Sequence, residues 1–320
     1  MKILKYPQQY TIQCVEDYTG QKFSDSLSIT ELDLSHSEIK DLTPLSGMTQ
    51  MKKLNLAYNK IGDIAPLAGM VELEVLRIYA NQIKDSSPLA GMIQLSELHL
   101  YGNHIEALTP LAGLGRLKQL NLGLNRIRDI SQLTGMTQLT ELHLNNNEIR
   151  DLTPLAGLVQ LEQLDLAYND IEDVLPLAGM TQLTWLDVRY NHIEDISSLT
   201  GMTELRQLYI NSNRIEDLSP LSCMTKLIEL IACKNPLSKY PHVWGYEPDC
   251  KHIFLLPSDK SKVVFHGRIE TKEGVINTIN RDTRRLEGCV HEYSYITEEY
   301  GHQLIAQIEE LYTVGRKEYV

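Results

Sequence analysis

From Ile29 onward the chain repeats itself every 22 residues without a slip in phase, until a truncated copy runs out near Leu237. A constant internal period of this length dictates a solenoid, because each copy is one supersecondary unit that can only bury its apolar face against its neighbours. Copies begin at Ile29, Met51, Leu73, Leu95, Leu117, Leu139, Leu161, Leu183, Leu205 and Leu227, which makes nine full copies and one truncated.

Residues 139–160, LTELHLNNNEIRDLTPLAGLVQ, show how one copy works. Leu142 and Leu144 flank His143 with the period of two that a strand requires, so the leucines point inward and Glu141, His143 and Asn145 outward. Identical copies stack in parallel about 4.8 Å apart, which predicts one ribbon of parallel sheet. The ninth position carries an amide in nine copies: Asn59, Asn81, Asn103, Asn125, Asn147, Asn169, Asn191, Asn213 and Asn235. There the chain turns inward, and a buried Asn can satisfy both N–H and C=O groups that water no longer reaches. These asparagines read as a structural ladder, since an active-site residue would not recur nine times.

The return limb, DLTPLAGL at 151–158, offers Thr153 as a helix N-cap, Pro154 at the first helical position and Gly157 at the stop, which predicts a single turn of 3₁₀-helix. Some copies depart from it. Gln132 and Ser198 replace the Pro, Ala65 and Leu175 replace the cap, and Ala107 replaces an Asp that the eight other full copies keep.

The pattern LxxLxLxxNxIxDIxPLxGM resembles the leucine-rich repeat in its 22-residue form, shared by SDS22-like phosphatase regulators and bacterial internalins. The resemblance covers about 210 residues of this chain. It implies an α/β fold: a right-handed solenoid with a concave parallel β-sheet, short 3₁₀ turns on the convex side, and a protein partner bound on the concave face. A small C-terminal α+β segment follows the array. No LPxTG-type wall-sorting motif is present, a departure from the surface-anchored internalins.

Residues 1–28 are expected to cap the first copy, with YTIQCVEDY at 10–18 as a weakly alternating strand beside a short helix. Residues 29–237 form the solenoid, and residues 238–320 a C-terminal cap or small α+β domain. In that last stretch, 252–257 and 262–269 read as strands, Lys272 to Leu286 as a helix, and Thr297 as the cap of a final helix. Trp244 is expected to cover the open core of the last copy.

Function can be written only where the scaffold leaves positions free, at the third, fifth, seventh and eighth places of each copy. In the N-terminal half these hold Tyr58, Arg77, Tyr79, His99 and Tyr101, followed by His143. In the C-terminal half they hold Tyr168, Trp185, Asp187, Arg189, Tyr190 and Tyr209. Tyr, Trp and Arg dominate binding hot spots, so both groups are candidate partner-binding residues. Asp165 and Asp187 share a column in adjacent copies, and Arg189 is placed to neutralise the pair rather than leave it for a metal. His99 and His143 share a column two copies apart, about 10 Å, too far to ligate one ion. No metal site, cofactor or catalytic motif is expected.

The net charge is −12, of which the first 28 residues contribute nothing and residues 236–320 only −2, so the array carries −10. A basic patch on a protein partner fits that field, whereas nucleic acid does not, because no basic stripe displaces its counterions. Five scattered cysteines without a CxxC pair read as reduced thiols in a cytoplasm, although Cys223 and Cys233 stand close enough in the array for a disulfide to be the minority reading. Lys5 and Pro7 break the apolar start, so no signal peptide is expected, and no run of 18 apolar residues could span a membrane. The function that follows is a non-catalytic interaction scaffold. A surface adhesin or carbohydrate receptor is the alternative, and an enzyme with its chemistry in the C-terminal segment is a third.

Overall fold

The computed structural model describes residues 7–218, residues 220, 221, 224, 226, 227, 229–232 and 234–236, and the backbone of four strands between residues 252 and 287. The chain divides into two compact units, Met1–Leu161 and Glu162–Val320.

In the first unit, six three-residue strands stack in parallel: β1 (Glu31–Asp33), β2 (Lys53–Asn55), β3 (Val75–Arg77), β4 (Glu97–His99), β5 (Gln119–Asn121) and β6 (Glu141–His143). Each residue pairs with the one 22 positions on, as Leu98 does with Leu120 and His99 with Asn121. Register is forced, since a shift of one residue would turn every inward leucine to water. Within one copy Leu139, Leu142, Leu144, Ile149, Leu152, Leu155 and Leu158 are all fully buried. Each contributes roughly 1.5–3 kcal/mol of burial, which only a stack of copies can supply.

The second unit repeats the scheme with β7 (Gln163–Asp165), β8 (Trp185–Asp187), β9 (Gln207–Tyr209) and β10 (Glu229–Ile231). Four further strands run antiparallel after it: β11 (His252–Leu255), β12 (Val264–Thr271), β13 (Gly274–Asn280) and β14 (Arg285–Glu287). The helix expected from Lys272 to Leu286 is therefore a pair of strands. Four of the seven residues of GVINTIN, Val275, Ile276, Thr278 and Ile279, are β-branched, and that preference for a pleated surface outweighs the helical spacing of its apolar residues. The final helix from Thr297, Trp244, Cys223 and Cys233 lie outside the described residues.

The N-terminal cap is also corrected. Residues 10–18 belong to α1 (Pro7–Thr19), opened by a proline at its first position, and a 3₁₀ turn follows at Phe23–Ser28. Thr11 and Val15, four residues apart and so on one helical face, are fully buried, and the Thr11 hydroxyl donates to the Asp41 carbonyl at 2.7 Å. That buried stripe, rather than the weak alternation, decides the segment.

The return limbs are single 3₁₀ turns, such as Thr153–Leu155, but the side chain that closes them differs from the one expected. Leu152, the residue just before the turn, supplies no side-chain cap. The Asp151 carboxylate instead accepts the Thr153 N–H at 2.8 Å, and Asp41, Asp63, Asp85, Asp129, Asp173 and Asp195 repeat the contact in their copies. Ala65 and Leu175 thus leave the cap intact, because Asp63 and Asp173 supply it. Three limbs, Thr43–Gly47, Ser131–Gly135 and Ser197–Gly201, extend to five residues. Loss of proline does not explain this, as Pro44 is present in the first. What they share is a hydroxyl at the fourth place: Ser46, Thr134 and Thr200 each donate back to the carbonyl three residues earlier, where the shorter limbs have alanine.

Candidate partner-binding face

The eighth residue of every copy has a positive φ: His36, Tyr58, Ala80, Gly102, Leu124, Asn146, Tyr168, Tyr190, Ser212 and Lys234 lie between 52° and 65°. Only one is glycine, so nine L-residues are held in the left-handed region. The kink ends each strand and delivers the chain to its ninth-position Asn. Asn103 accepts the Ile83 N–H at 3.0 Å and donates to the carbonyls of Ile78 and Leu100, so one side chain serves two copies. Asn59, Asn81, Asn125, Asn147, Asn191, Asn213 and Asn235 make the corresponding bonds, and Asn169 donates to Leu166 and Ala167.

The same kink lifts the eighth-position side chains to the rim of the sheet, where aromatics meet across copies. In the second unit Tyr168 and Tyr190 stack 4.2 Å apart with 10° between their planes, and remain 43% and 38% exposed. The Arg189 guanidinium lies 6.0 Å from the Tyr168 ring centre and the Lys234 ammonium 5.9 Å from that of Tyr190, within cation–π range. The Ser212 hydroxyl beside it, helped by Lys234, holds the Tyr190 phenol below its usual pKa against the opposing effect of burial. Further into the sheet Trp185 and Tyr209 are half-buried, their rings 5.7 Å apart. Burial, reinforced by the Glu229 carboxylate beside it, pushes the Tyr209 phenol up to about 12. Gln207 spans the two, 3.3 Å from the Tyr209 hydroxyl and 2.6 Å from Glu229.

Asp187 departs from expectation. Its side chain is only 3% exposed, so the carboxylate lies beneath the face and cannot itself meet a partner. Arg189 does pair with it, Nε to Oδ2 at 3.1 Å, and the Arg189 N–H donates to Oδ1 at 3.0 Å. Neutralisation is nevertheless incomplete. Burial raises the Asp187 pKa to about 7 despite both Arg189 contacts, with Asp165, its register partner, adding to the rise.

In the first unit, Tyr58 stacks on His36 at 4.3 Å and meets Tyr79 edge-on at 5.2 Å. His99 and His143 fall in one column with Asn121 between them. Each histidine is claimed by the acid two residues before it, Glu97 at 3.0 Å and Glu141 at 2.8 Å, and burial lowers the His99 pKa. Tyr101 is exposed at the rim of its copy and leans over Gly123, where an added Cβ would come within 2.9 Å of the ring and 2.4 Å of the Asn145 amide oxygen. The structure thus brings Tyr168, Tyr190 and Arg189 together, and separately Trp185 with Tyr209. His36, Lys234, Ser212 and Gln207 were not singled out by sequence reasoning, which weighed aromatics and arginines and left the left-handed column unmarked. Among the described residues no group of three or more His, Cys, Asp or Glu is placed to hold a metal ion.

In-register parallel strands, single 3₁₀ limbs and a ladder of asparagines define a leucine-rich-repeat solenoid. The chain belongs to the leucine-rich-repeat family: the model of paired leucine-rich repeats matches residues 28–69, 49–91, 115–157, 137–179 and 181–223. Among solved structures it is similar to an internalin (InlF) of Listeria monocytogenes, with 32% identity and a TM-score of 0.69 over 75% of this chain and 77% of that one. Internalin C2 of the same organism is 31% identical with a TM-score of 0.60, over 65% of this chain and 94% of the other. A leucine-rich-repeat protein of Leptospira interrogans, 22% identical over 67% of this chain and 57% of the other, shares the fold with a TM-score of 0.62. Comparison with curated proteins returns no match. No helix among the described residues is long and apolar enough to cross a membrane.

Proposed function

We propose that the chain is a non-catalytic protein-interaction module whose main contact surface is the strand face of the second unit, built from Tyr168, Trp185, Arg189, Tyr190 and Tyr209. The observation that carries this reading is the exposed Tyr168–Tyr190 stack with cations at both rings, a surface of the side chains that supply binding energy where water is excluded. The first-unit residues Tyr79, His99, Tyr101 and His143 form a second, weaker surface, and residues 238–320 a cap or further contact site. The net charge of −10 over the array favours a partner with a basic surface, because like charge slows encounter and opposite charge speeds it. A reducing, cytoplasmic setting fits the free thiol of Cys14 and the scattered cysteines.

The test is a pull-down from the native cell with the wild-type chain against Trp185→Ala/Tyr190→Ala. Binding should weaken by more than about 2 kcal/mol with thermal unfolding nearly unchanged. Matched losses in both would make these residues merely structural. The likeness to internalins supports a second reading, a receptor that works outside the cell, and recovery of the chain from culture medium would favour it.

A further inference from the structure

Among the buried polar atoms of the second unit's described residues that lack hydrogen-bond partners, two sit at the same position of neighbouring copies. Asn211 is 8% exposed and its Oδ1 accepts nothing. Arg189 Nε makes only the ion pair to Asp187, outside hydrogen-bonding geometry. The Tyr190 N–H donates to the Asn211 carbonyl at 3.0 Å, which holds the chain at Arg189 and Tyr190 beside Asn211 of the next copy, just past the ends of β8 and β9 and next to the exposed tyrosine stack. A buried polar atom without a partner is costly, and a ligand that supplies the missing group recovers that cost on binding. One atom needs a donor and the other an acceptor.

We infer that this corner binds the main chain of an extended partner segment, with one partner residue donating its N–H to Asn211 Oδ1 and accepting from Arg189 Nε–H through its C=O. In an extended chain the N–H and C=O of a given residue point to the same side, as they do where antiparallel strands exchange paired bonds. A single residue therefore meets both groups, while its neighbours lie over Tyr168 and Tyr190. Arg189 has a side chain 42% exposed, and its swing lets the segment in. Main-chain contacts carry affinity, and the aromatic rings carry side-chain preference. The inference rests on the strand-face reading above and adds the chemical identity of what is read.

The experiment uses the full chain as bait for display selection from a random-sequence peptide library. Each backbone amide of the strongest binder is then replaced in turn by an ester, which removes one N–H donor. At one position the ester should weaken binding by about tenfold or more. In Asn211→Ala that position should become indifferent to the replacement, while Asn211→Asp, which keeps an acceptor, should restore the sensitivity. Peptides that depend on Trp185 and Tyr190 but show no ester-sensitive position, or one unaltered in Asn211→Ala, overturn the main-chain inference and leave the strand-face reading standing. Peptides indifferent to Trp185→Ala/Tyr190→Ala, or a selection that yields no binder, overturn both.

Discussion

The rings of Tyr168 and Tyr190 stack 4.2 Å apart, one copy apart, only because both residues hold φ near +55°. Backbone strain and aromatic contact are therefore opposed at one residue and can be separated. Tyr190→Ala removes the stack, worth about 0.5–1.5 kcal/mol beyond buried area, and leaves a Cβ in the left-handed region. Tyr190→Gly removes the same ring and relieves the backbone. The glycine variant should be the more stable of the two by roughly 1 kcal/mol in urea unfolding, while both lose partner binding equally. Equal stability would mean that the turn relaxes when the ring is gone.

A second prediction concerns the asparagines. Asn103 is 4% exposed, whereas Asn147, with the same set of bonds to Ile127, Leu122 and Leu144, is half-buried. Stranding a buried backbone group costs about 1–3 kcal/mol, and less where water can replace the bond. Asn103→Ala should therefore cost on the order of 3 kcal/mol and Asn147→Ala visibly less, read from denaturant midpoints. The reverse order would show that exposure does not set the cost.

The caps give a third. Ala107 stands where other copies carry the Asp that accepts an N–H two residues on, so the Thr109 N–H lacks that acceptor. Ala107→Asp should stabilise the chain by about 0.5–1 kcal/mol, and Asp151→Ala should destabilise it by a similar amount. Thr153→Ala should cost less than Asp151→Ala, since the backbone N–H that the carboxylate accepts survives the substitution. A loss from Thr153→Ala as large as that from Asp151→Ala would return the capping role to the threonine.

Most of the scaffold could be read before any coordinates, because leucines at 4 and 6 and an amide at 9 leave one way to bury the former and satisfy the latter. What stayed hidden depends on backbone geometry that residue types mask. The left-handed eighth position is conspicuous only at Gly102; Tyr58, Leu124 and Tyr190 give no sign of it. In α1 the sequence TIQCV alternates as a strand would, while its buried pair, Thr11 and Val15, follows the helical interval. Asp187 occupies an outward strand position yet lies under its neighbours, since how far a short side chain reaches is decided by the longer ones beside it.

The last prediction turns on that burial. The Asp187 pKa is raised to about 7 by desolvation, so the folded chain holds this proton more tightly than the unfolded chain does. Stability from this group is then complete below the ordinary carboxylate value near 4 and declines as pH rises towards about 7, the opposite of a carboxylate held by a salt bridge. Asp187→Asn keeps an oxygen to accept the Arg189 N–H and removes the titration. The difference between variant and wild type cancels every other carboxylate. It should favour the variant by a few kcal/mol, in order of magnitude, at pH 8 and fade by pH 4.5 in urea unfolding. If the wild type is the more stable at pH 8, the Arg189 ion pair outweighs the cost of burying the charge, and Asp187 is ionised in the folded protein throughout the neutral range.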